Sequence, residues 1–499
     1  MQNTLLSFTG VTIRPVGGRS FTNISLDVNN QEHLAVVGQN EPLKNALLDA
    51  IAGTANIVSG KTKYPFYKDY LTANTLTDPL LSPHKLFAVV SGKHSFRTLS
   101  NTSDFYYQQR FNSTDSENAL KVSEFLNTVK YYDQHAHWTV KRTIEKLHLE
   151  PLLDEELIKL SNGETKRVMI AAAVLRNPVL LLLSNPLTGL DVGSRAEILK
   201  LIDEIANSGI TVVIFTSGTE LPTCIRQAVV ANPDNTITKI PISELKAEAP
   251  VNSQEPPNEQ EIADLLSIQK MPRFEQIVLM NNVSIRYGEN VILDGVSWTI
   301  KQGERWALLG HNGAGKSTLL SLINGDNPQA FANDIILFDR KKGSGESIWD
   351  IKKKIGFFSS ELYQYFPGET NCLHAVESGF HDTIGLFKPS NPSTAAISLR
   401  WMKLLGISGL AEKRLRQISL VEQRLCLLAR ALVKSPVLLI LDEPCQGFEP
   451  YQQTFFRNLV DTICRVRNIT LVYVTHYQEE LPESITKTLR LAKGKIVDE

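Results

Sequence analysis

Cysteine is scarce in this chain. Five cysteines in 499 residues, Cys224, Cys372, Cys426, Cys445 and Cys464, include no CxxC pair. That spacing argues against a disulfide scaffold or a cysteine zinc site and fits a reducing cytosol. Long apolar runs are also missing. The longest, Val179–Leu183 and Val437–Leu441, are strand-sized, whereas a membrane helix needs about 18–20 apolar residues. The first residues, MQNTLLSFTGVTIRP, carry neither the basic region nor the small-residue cleavage site of a signal peptide. Neither sign of charge is in excess. Lys plus Arg is 52 and Asp plus Glu is 53, a net charge of −1. No basic field draws in polyanions, so nucleic acid is not an expected partner. With a mean hydropathy of −0.12, the expectation is a soluble, cytoplasmic chain of several domains at roughly 150 residues each.

What the chain does have is a long internal repeat. Val11–Pro15 (VTIRP) resembles Val283–Tyr287 (VSIRY), His33–Asn40 (HLAVVGQN) resembles Arg305–Asn312 (RWALLGHN), and Gly53 matches Gly325. The three pairs share one offset of 272 residues (287 − 15, 310 − 38, 325 − 53). Further on, Leu180–Asp191 (LLLLSNPLTGLD) resembles Leu438–Glu449 (LLILDEPCQGFE) at an offset of 258 (442 − 184). A duplicated domain is expected, with residues 1–245 and 275–499 as its copies. Residues 246–274, proline- and acid-bearing, read as a solvated linker. Short apolar runs alternate with longer helical stretches in each copy, which predicts an α/β sheet with crossover helices.

The second copy carries a complete phosphate loop. Gly310–Thr318 reads GHNGAGKST, follows an apolar strand and opens a helix. Gly313 and Gly315 let backbone N–H groups turn inward without a Cβ in the way. The helix N-terminus adds positive potential. Lys316 is placed to reach the β- and γ-phosphates and Ser317 to ligate Mg²⁺. His311, Asn312, Ala314 and Thr318 complete the loop. In Val437–Pro444 an apolar strand ends in two carboxylates. Asp442 is expected to hold Mg²⁺ and Glu443 to polarise the attacking water. His476 follows the next apolar strand, where a γ-phosphate contact competes with an ordinary core role. Tyr287 lies 23 residues before Gly310 (310 − 287) and is either packing or a stacking surface for adenine.

Together these motifs resemble the ATP-binding cassette (ABC) ATPases, and the resemblance spans both copies. It implies two tandem P-loop domains, each with a mixed sheet, flanking helices and a helical signature subdomain. It further implies head-to-tail pairing, with each phosphate loop facing the other domain's signature motif. The copies are degenerate in complementary ways. In the first, Gly38–Asn45 reads GQNEPLKN. Lys44 is kept, but Glu41 and Leu43 replace the inner glycines and Asn45 replaces the metal-binding hydroxyl. Ser184 and Asn185 stand where Asp442 and Glu443 stand, Pro15 stands for Tyr287, and Ser217 for His476. Conversely, the first copy's signature, Leu160–Glu164 (LSNGE), keeps Ser161 and Gly163, whereas the second's, Ile418–Glu422 (ISLVE), places Val421 at the glycine. One competent composite site is therefore expected: the second loop, Asp442, Glu443 and His476, facing Ser161, Gly163 and Asp191 of the first copy. Glu449 would face the inactive counterpart.

Asn333–Ser360 (NDIILFDRKKGSGESIWDIKKKIGFFSS) is similar to the fused two-cassette ModF (PhrA-like) proteins, which implies molybdate-related transport driven through a permease on another chain. ABC domains place a coupling glutamine near the position of Ser360, with Gln364 nearby as a displaced candidate. His94–Ser113, rich in aromatics and bearing Arg97 and Arg110, reads as a base- or peptide-binding loop or, more simply, as one that packs its aromatics. The expected activity is ATP hydrolysis with Mg²⁺, in service of a permease or, alternatively, of a cytosolic regulator acting on ribosomes, nucleic acid or a soluble partner.

Overall fold

The computed structural model describes residues 4–15, 19–38, 40–73, 81–91, 120–129, 137–157, 160, 162–188, 190, 192–216, 220–245, 258–269, 272–288, 290–311, 313–360, 362–448 and 450–497. They form two compact units, one over described residues up to 245 and one from 258.

The strands of the first unit are β1 (Thr4–Arg14), β2 (Phe21–Asn29), β3 (Leu34–Val37), β4 (Asn56–Lys63), β5 (Phe87–Val90), β6 (Leu180–Ser184), β7 (Thr211–Phe215), β8 (Gln227–Ala231) and β9 (Ile237–Pro241). An antiparallel sheet runs β2-β1-β4, and a second sheet runs β5-β6-β7-β3-β8-β9, parallel except for β9. The second unit repeats the plan with β10 (Gln276–Tyr287), β11 (Asn290–Lys301), β12 (Arg305–Leu309), β13 (Asp334–Leu337), β14 (Arg340–Lys341), β15 (Ile355–Ser359), β16 (Leu438–Asp442), β17 (Thr470–Val474), β18 (Lys487–Ala492) and β19 (Lys495–Ile496). Its sheets run β11-β10-β13-β14, antiparallel, and β15-β16-β17-β12-β18-β19, parallel except for β19.

Sequence pattern explains the division of labour. β16 is apolar at four successive positions, Leu438 to Leu441, all buried, as a strand covered on both faces requires. Its side chains alternate between two cores. Leu438 and Ile440 join Leu308, Leu319 and Val472 on one face. Leu439 and Leu441 join Trp401, Phe456 and Tyr473 on the other. Each unit is thus an α/β domain with a mixed sheet and flanking helices.

The segment read as a linker is folded in part. A helix over Glu259–Ser267, capped by the Asn258 side chain, buries Ile262, Leu265 and Leu266 in the second unit's core. Their i, i+3, i+4 spacing makes one apolar stripe. Arg465 and Arg400 hold Glu259 and Glu261 at its rim. Within 258–267 a short amphipathic pattern therefore overrides the polar composition that reads as solvated chain.

Candidate active site

In the second unit the parallel register brings three strand ends together. Leu308 of β12 pairs with Val474 of β17, and Val474 pairs with Asp442 of β16. Whatever follows β12, β16 and β17 emerges at one edge of the sheet. This edge lies at the carboxyl ends of the parallel strands, where open α/β sheets bind ligands.

After β12 comes the phosphate loop. Gly310 (φ 152°) and Gly315 (φ 102°) adopt backbone angles that side chains disfavour. A Cβ on Gly310 would lie 2.5 Å from the Leu491 carbonyl oxygen, and one on Gly315 would lie 2.7 Å from Leu293 Cδ2. The close path of this loop thus depends on both glycines. A helix, Lys316–Ile323, starts directly at the lysine. Lys316 is buried, and its Nζ donates to the carbonyls of Gly310 (2.7 Å) and His311 (3.1 Å). Ala314 and Thr318 are buried, Ser317 is half-buried and His311 is exposed. Asn312 lies outside the described residues.

After β16 comes Glu443, with φ 48°. A non-glycine residue in this region is uncommon, and such strain gathers at functional positions. Its N–H donates to Val474 O at 2.9 Å, which locks the turn onto the neighbouring strand. After β17 comes His476. Its Nδ1–H donates to Gly310 O at 2.8 Å, and its Nε2 lies 2.5 Å from Glu443 Oε1. That second contact is a close polar approach with the carboxylate off the ring N–H axis. The imidazole thereby joins the phosphate loop to the carboxylate. Tyr287 ends β10 half-buried, and its hydroxyl accepts from Asn327 Nδ2 at 3.0 Å. Burial pushes the Tyr287 phenol up from its ordinary value, so it stays neutral and keeps its proton.

Two further residues join this network: Gln446, which the sequence did not single out, and Ser360, which it noted only for its place near that of a coupling glutamine. Gln446 Nε2 donates to Glu443 Oε2 at 2.8 Å, and Gln446 Oε1 accepts from Ser360 Oγ at 2.9 Å. Ser360, at the expected place of a coupling glutamine, instead meets a carboxamide delivered from the turn after β16. The i, i+3 spacing of Glu443 and Gln446 was the available signal. The side chain of Gln364 is outside the described set.

The first unit keeps the frame and loses the cradle. Gly38 (φ 107°) lies against Ala231 as Gly310 lies against Leu491. Asn185 (φ 46°) repeats the backbone of Glu443, its N–H donating to Phe215 O at 2.7 Å. However, the helix there spans Glu41–Ala52, so the positions of the inner glycines are wound into its first turn. Asn40 caps it, Oδ1 accepting from Leu43 N at 3.1 Å and the carbonyl from Lys44 N at 3.0 Å. Lys44 is buried, and Glu41 Oε1 sits 2.5 Å from its Nζ.

The signature segments also differ. Gly163 lies in the first turn of the helix Asn162–Val174, and a Cβ there would find ordinary contacts, the nearest 3.6 Å away. Ser161, Asp191, Ser217, Glu449 and the 94–113 segment lie outside the described residues. In the second unit Ser419 caps the helix Leu420–Leu432 in a box with Glu422, and Val421 packs against the unit's own core.

The profile of the family described as "ABC transporter" matches residues 21–188 and 293–446, more than half of the chain. The ABC transporter ATP-binding protein ModF of Escherichia coli (strain K12) is 32% identical over 475 residues, 93% of this chain and 92% of ModF. The chain belongs to the ABC transporter ATP-binding family. An uncharacterized ABC transporter ATP-binding protein of Schizosaccharomyces pombe (strain 972 / ATCC 24843) is 29% identical over 99% of both chains. Both relatives align over nearly the full length of this chain and of their own. Among solved structures, archaeal ABCE1 in a ribosome-bound model with Pelota superposes over 96% of this chain and 76% of that chain with a TM-score of 0.56 at 18% identity. That likeness shows the fold alone. As a family member the chain is an ATP-binding, ATP-hydrolysing P-loop protein. No described helix is long and apolar enough to cross a membrane.

Proposed function

We propose that this protein hydrolyses ATP–Mg²⁺ at one composite site and works as the energising subunit of a membrane permease carried by another chain. The observation that carries the catalytic reading is the link Gly310–His476–Glu443 across three strand ends. A carboxylate held there in a strained turn is suited to orienting water for in-line attack.

The donor set fits a small hard cation. Among the described residues no group of three or more His, Cys, Asp or Glu is arranged to hold a metal ion by itself. Ser317 and Asp442 would hold the ion through oxygen, with substrate phosphates supplying the rest, as Mg²⁺ prefers. The ion supplies charge neutralisation on the phosphates. Lys316 binds the β- and γ-phosphates, exchanging loop carbonyls for phosphate oxygens. Glu443 orients the water and takes its proton. His476 lies against Glu443, and a γ-phosphate contact would replace the bond of its Nδ1–H to Gly310 O. Tyr287 offers its ring to adenine. Gly310, His311, Asn312, Gly313, Ala314, Gly315 and Thr318 shape the loop. Ser161 and Gly163 of the first cassette complete the site through head-to-tail pairing, and the first cassette does not hydrolyse ATP. Residues 1–245 and 275–499 are proposed as the cassette cores, on the peripheral, cytoplasmic side of a membrane. Molybdate is the cargo that the ModF likeness suggests.

Ser360 at the coupling position favours a second reading, a cytosolic regulator with a soluble partner. One experiment separates them. Glu443→Gln with ATP is expected to trap the closed form in lysate. An integral membrane protein recovered only with ATP supports the permease reading. Ribosomes, nucleic acid or a soluble protein recovered instead would replace it.

A further inference from the structure

Gln446 occupies an unusual place. Both ends of its carboxamide are used, and the ends cannot be exchanged. Only nitrogen can donate to the Glu443 carboxylate, and only oxygen can accept from a hydroxyl that donates to it. The 2.8 Å bond to Glu443 Oε2 and the 2.9 Å bond from Ser360 Oγ therefore fix one orientation. A backbone bond from Gln446 N to Glu443 O at 3.2 Å closes the turn between them. Gln446 thus donates a hydrogen bond to Glu443 Oε2, while Oε1 lies in close polar approach to His476 without a ring N–H bond.

The chain of bonds continues beyond the strand ends. Ser360 is buried, and its N–H donates to Asp442 O at 3.2 Å. Its carbonyl accepts from Arg424 Nη1. Arg424 is buried in the helix Leu420–Leu432 and lies over the Tyr363 ring, 5.6 Å from its centroid. A displacement of that helix pulls on Ser360, and Ser360 touches the carboxamide that orients Glu443.

We propose that Gln446 is a positioning residue for Glu443, and that Gln446, Ser360 and Arg424 transmit the position of the helix Leu420–Leu432 to the carboxylate. This rests on Glu443 being the residue that orients water. A carboxylate without the Gln446 bond samples orientations that do not serve attack, and small misplacements at a reacting centre are costly.

The test compares Gln446→Met, Gln446→Glu, Ser360→Ala and Glu443→Gln in the full chain. Three readouts are used: steady-state ATP hydrolysis, affinity for a fluorescent ATP analogue, and the melting shift produced by ATP. Gln446→Met keeps the volume and removes both bonds. It is expected to lower kcat by about 10- to 100-fold, with KM, analogue affinity and melting shift within about twofold of the parent. Gln446→Glu is expected to lose more than Gln446→Met, because it turns a carboxylate toward Glu443. A role in turn shape alone predicts the reverse order. Ser360→Ala is expected to lower kcat and to add little on top of Gln446→Met. Unchanged kcat in Gln446→Met, alongside a dead Glu443→Gln, overturns the inference and leaves the catalytic reading standing. Full turnover in Glu443→Gln overturns the catalytic reading itself. If the Gln446 variants lose the ATP melting shift, Ser360→Ala decides: lowered kcat at unchanged affinity supports the relay, and unchanged kcat overturns it.

Discussion

Glu41 Oε1 lies 2.5 Å from Lys44 Nζ, inside the first turn of the first unit's helix. The lysine that should meet phosphate meets a carboxylate from its own chain, and its Nζ also donates to Thr216 O at 3.4 Å. An anion entering there would have to displace Glu41 and unwind a capped turn. The chain is therefore expected to bind one ATP, counted by equilibrium dialysis. Lys44→Ala should leave turnover within about twofold of the parent, and Lys316→Ala should abolish it. Two tightly bound nucleotides per chain would show that the first loop is a working site.

Glu443→Gln keeps the size of the side chain and removes the base. Turnover should fall by about 10²–10⁴-fold with ATP affinity retained. His476→Ala should lose less, because Gln446 still holds the second carboxylate oxygen. Single-turnover hydrolysis and a filter-binding isotherm, run together on each variant, check both statements.

Gly315 is fixed by its surroundings as well as by its angle. The substitution Gly315→Ala places a methyl 2.7 Å from Leu293 Cδ2 and 2.9 Å from Ile292 O, at φ 102°. A stability loss of about 1–3 kcal/mol is expected from the backbone strain. ATP affinity should fall with it, because the loop must shift. Denaturant melts and calorimetric titration measure the two effects separately.

Lys166 is buried in the helix Asn162–Val174, and burial lowers its pKa to about 8. An unfolded lysine titrates near about 10.4. Between those values the unfolded chain binds the proton and the folded chain does not, so this residue makes stability rise with pH. Below about 8 both states are protonated and the cost of the buried charge is fully in place. Thermal melts from pH 7.5 to 10 should therefore show an upward contribution that Lys166→Met reduces. An identical slope in the variant would count against it.

Much of the site was legible because it is local. The nine residues Gly310–Thr318 build their cradle from consecutive backbone groups, and the strand runs before Gly310 and Asp442 are continuous in sequence. The loss of the first loop's inner glycines was also legible, since Glu41 and Leu43 stand in their places. The helical form of that loss was not. A Pro at the second helical position and a capping Asn40 wind the loop into helix, where the repeat suggested a damaged loop of the same shape. The helix Glu259–Ser267 was hidden by its acidic surface, because its three buried residues make only one short stripe.

The sequence alone therefore determined the duplication, the α/β class, the family and the residue types at the phosphate loop and acidic strand end. Neighbouring residues specify these through backbone sterics and strand or helix periodicity. Tertiary structure alone decided which side chains meet. His476 reaches Glu443 because β16 and β17 share a register, and Ser360 reaches Gln446 because β15 pairs beside β16. Such partners lie 33 (476 − 443) and 86 residues apart in the chain. Only the parallel sheet, which aligns the ends of distant strands, puts them within bonding distance.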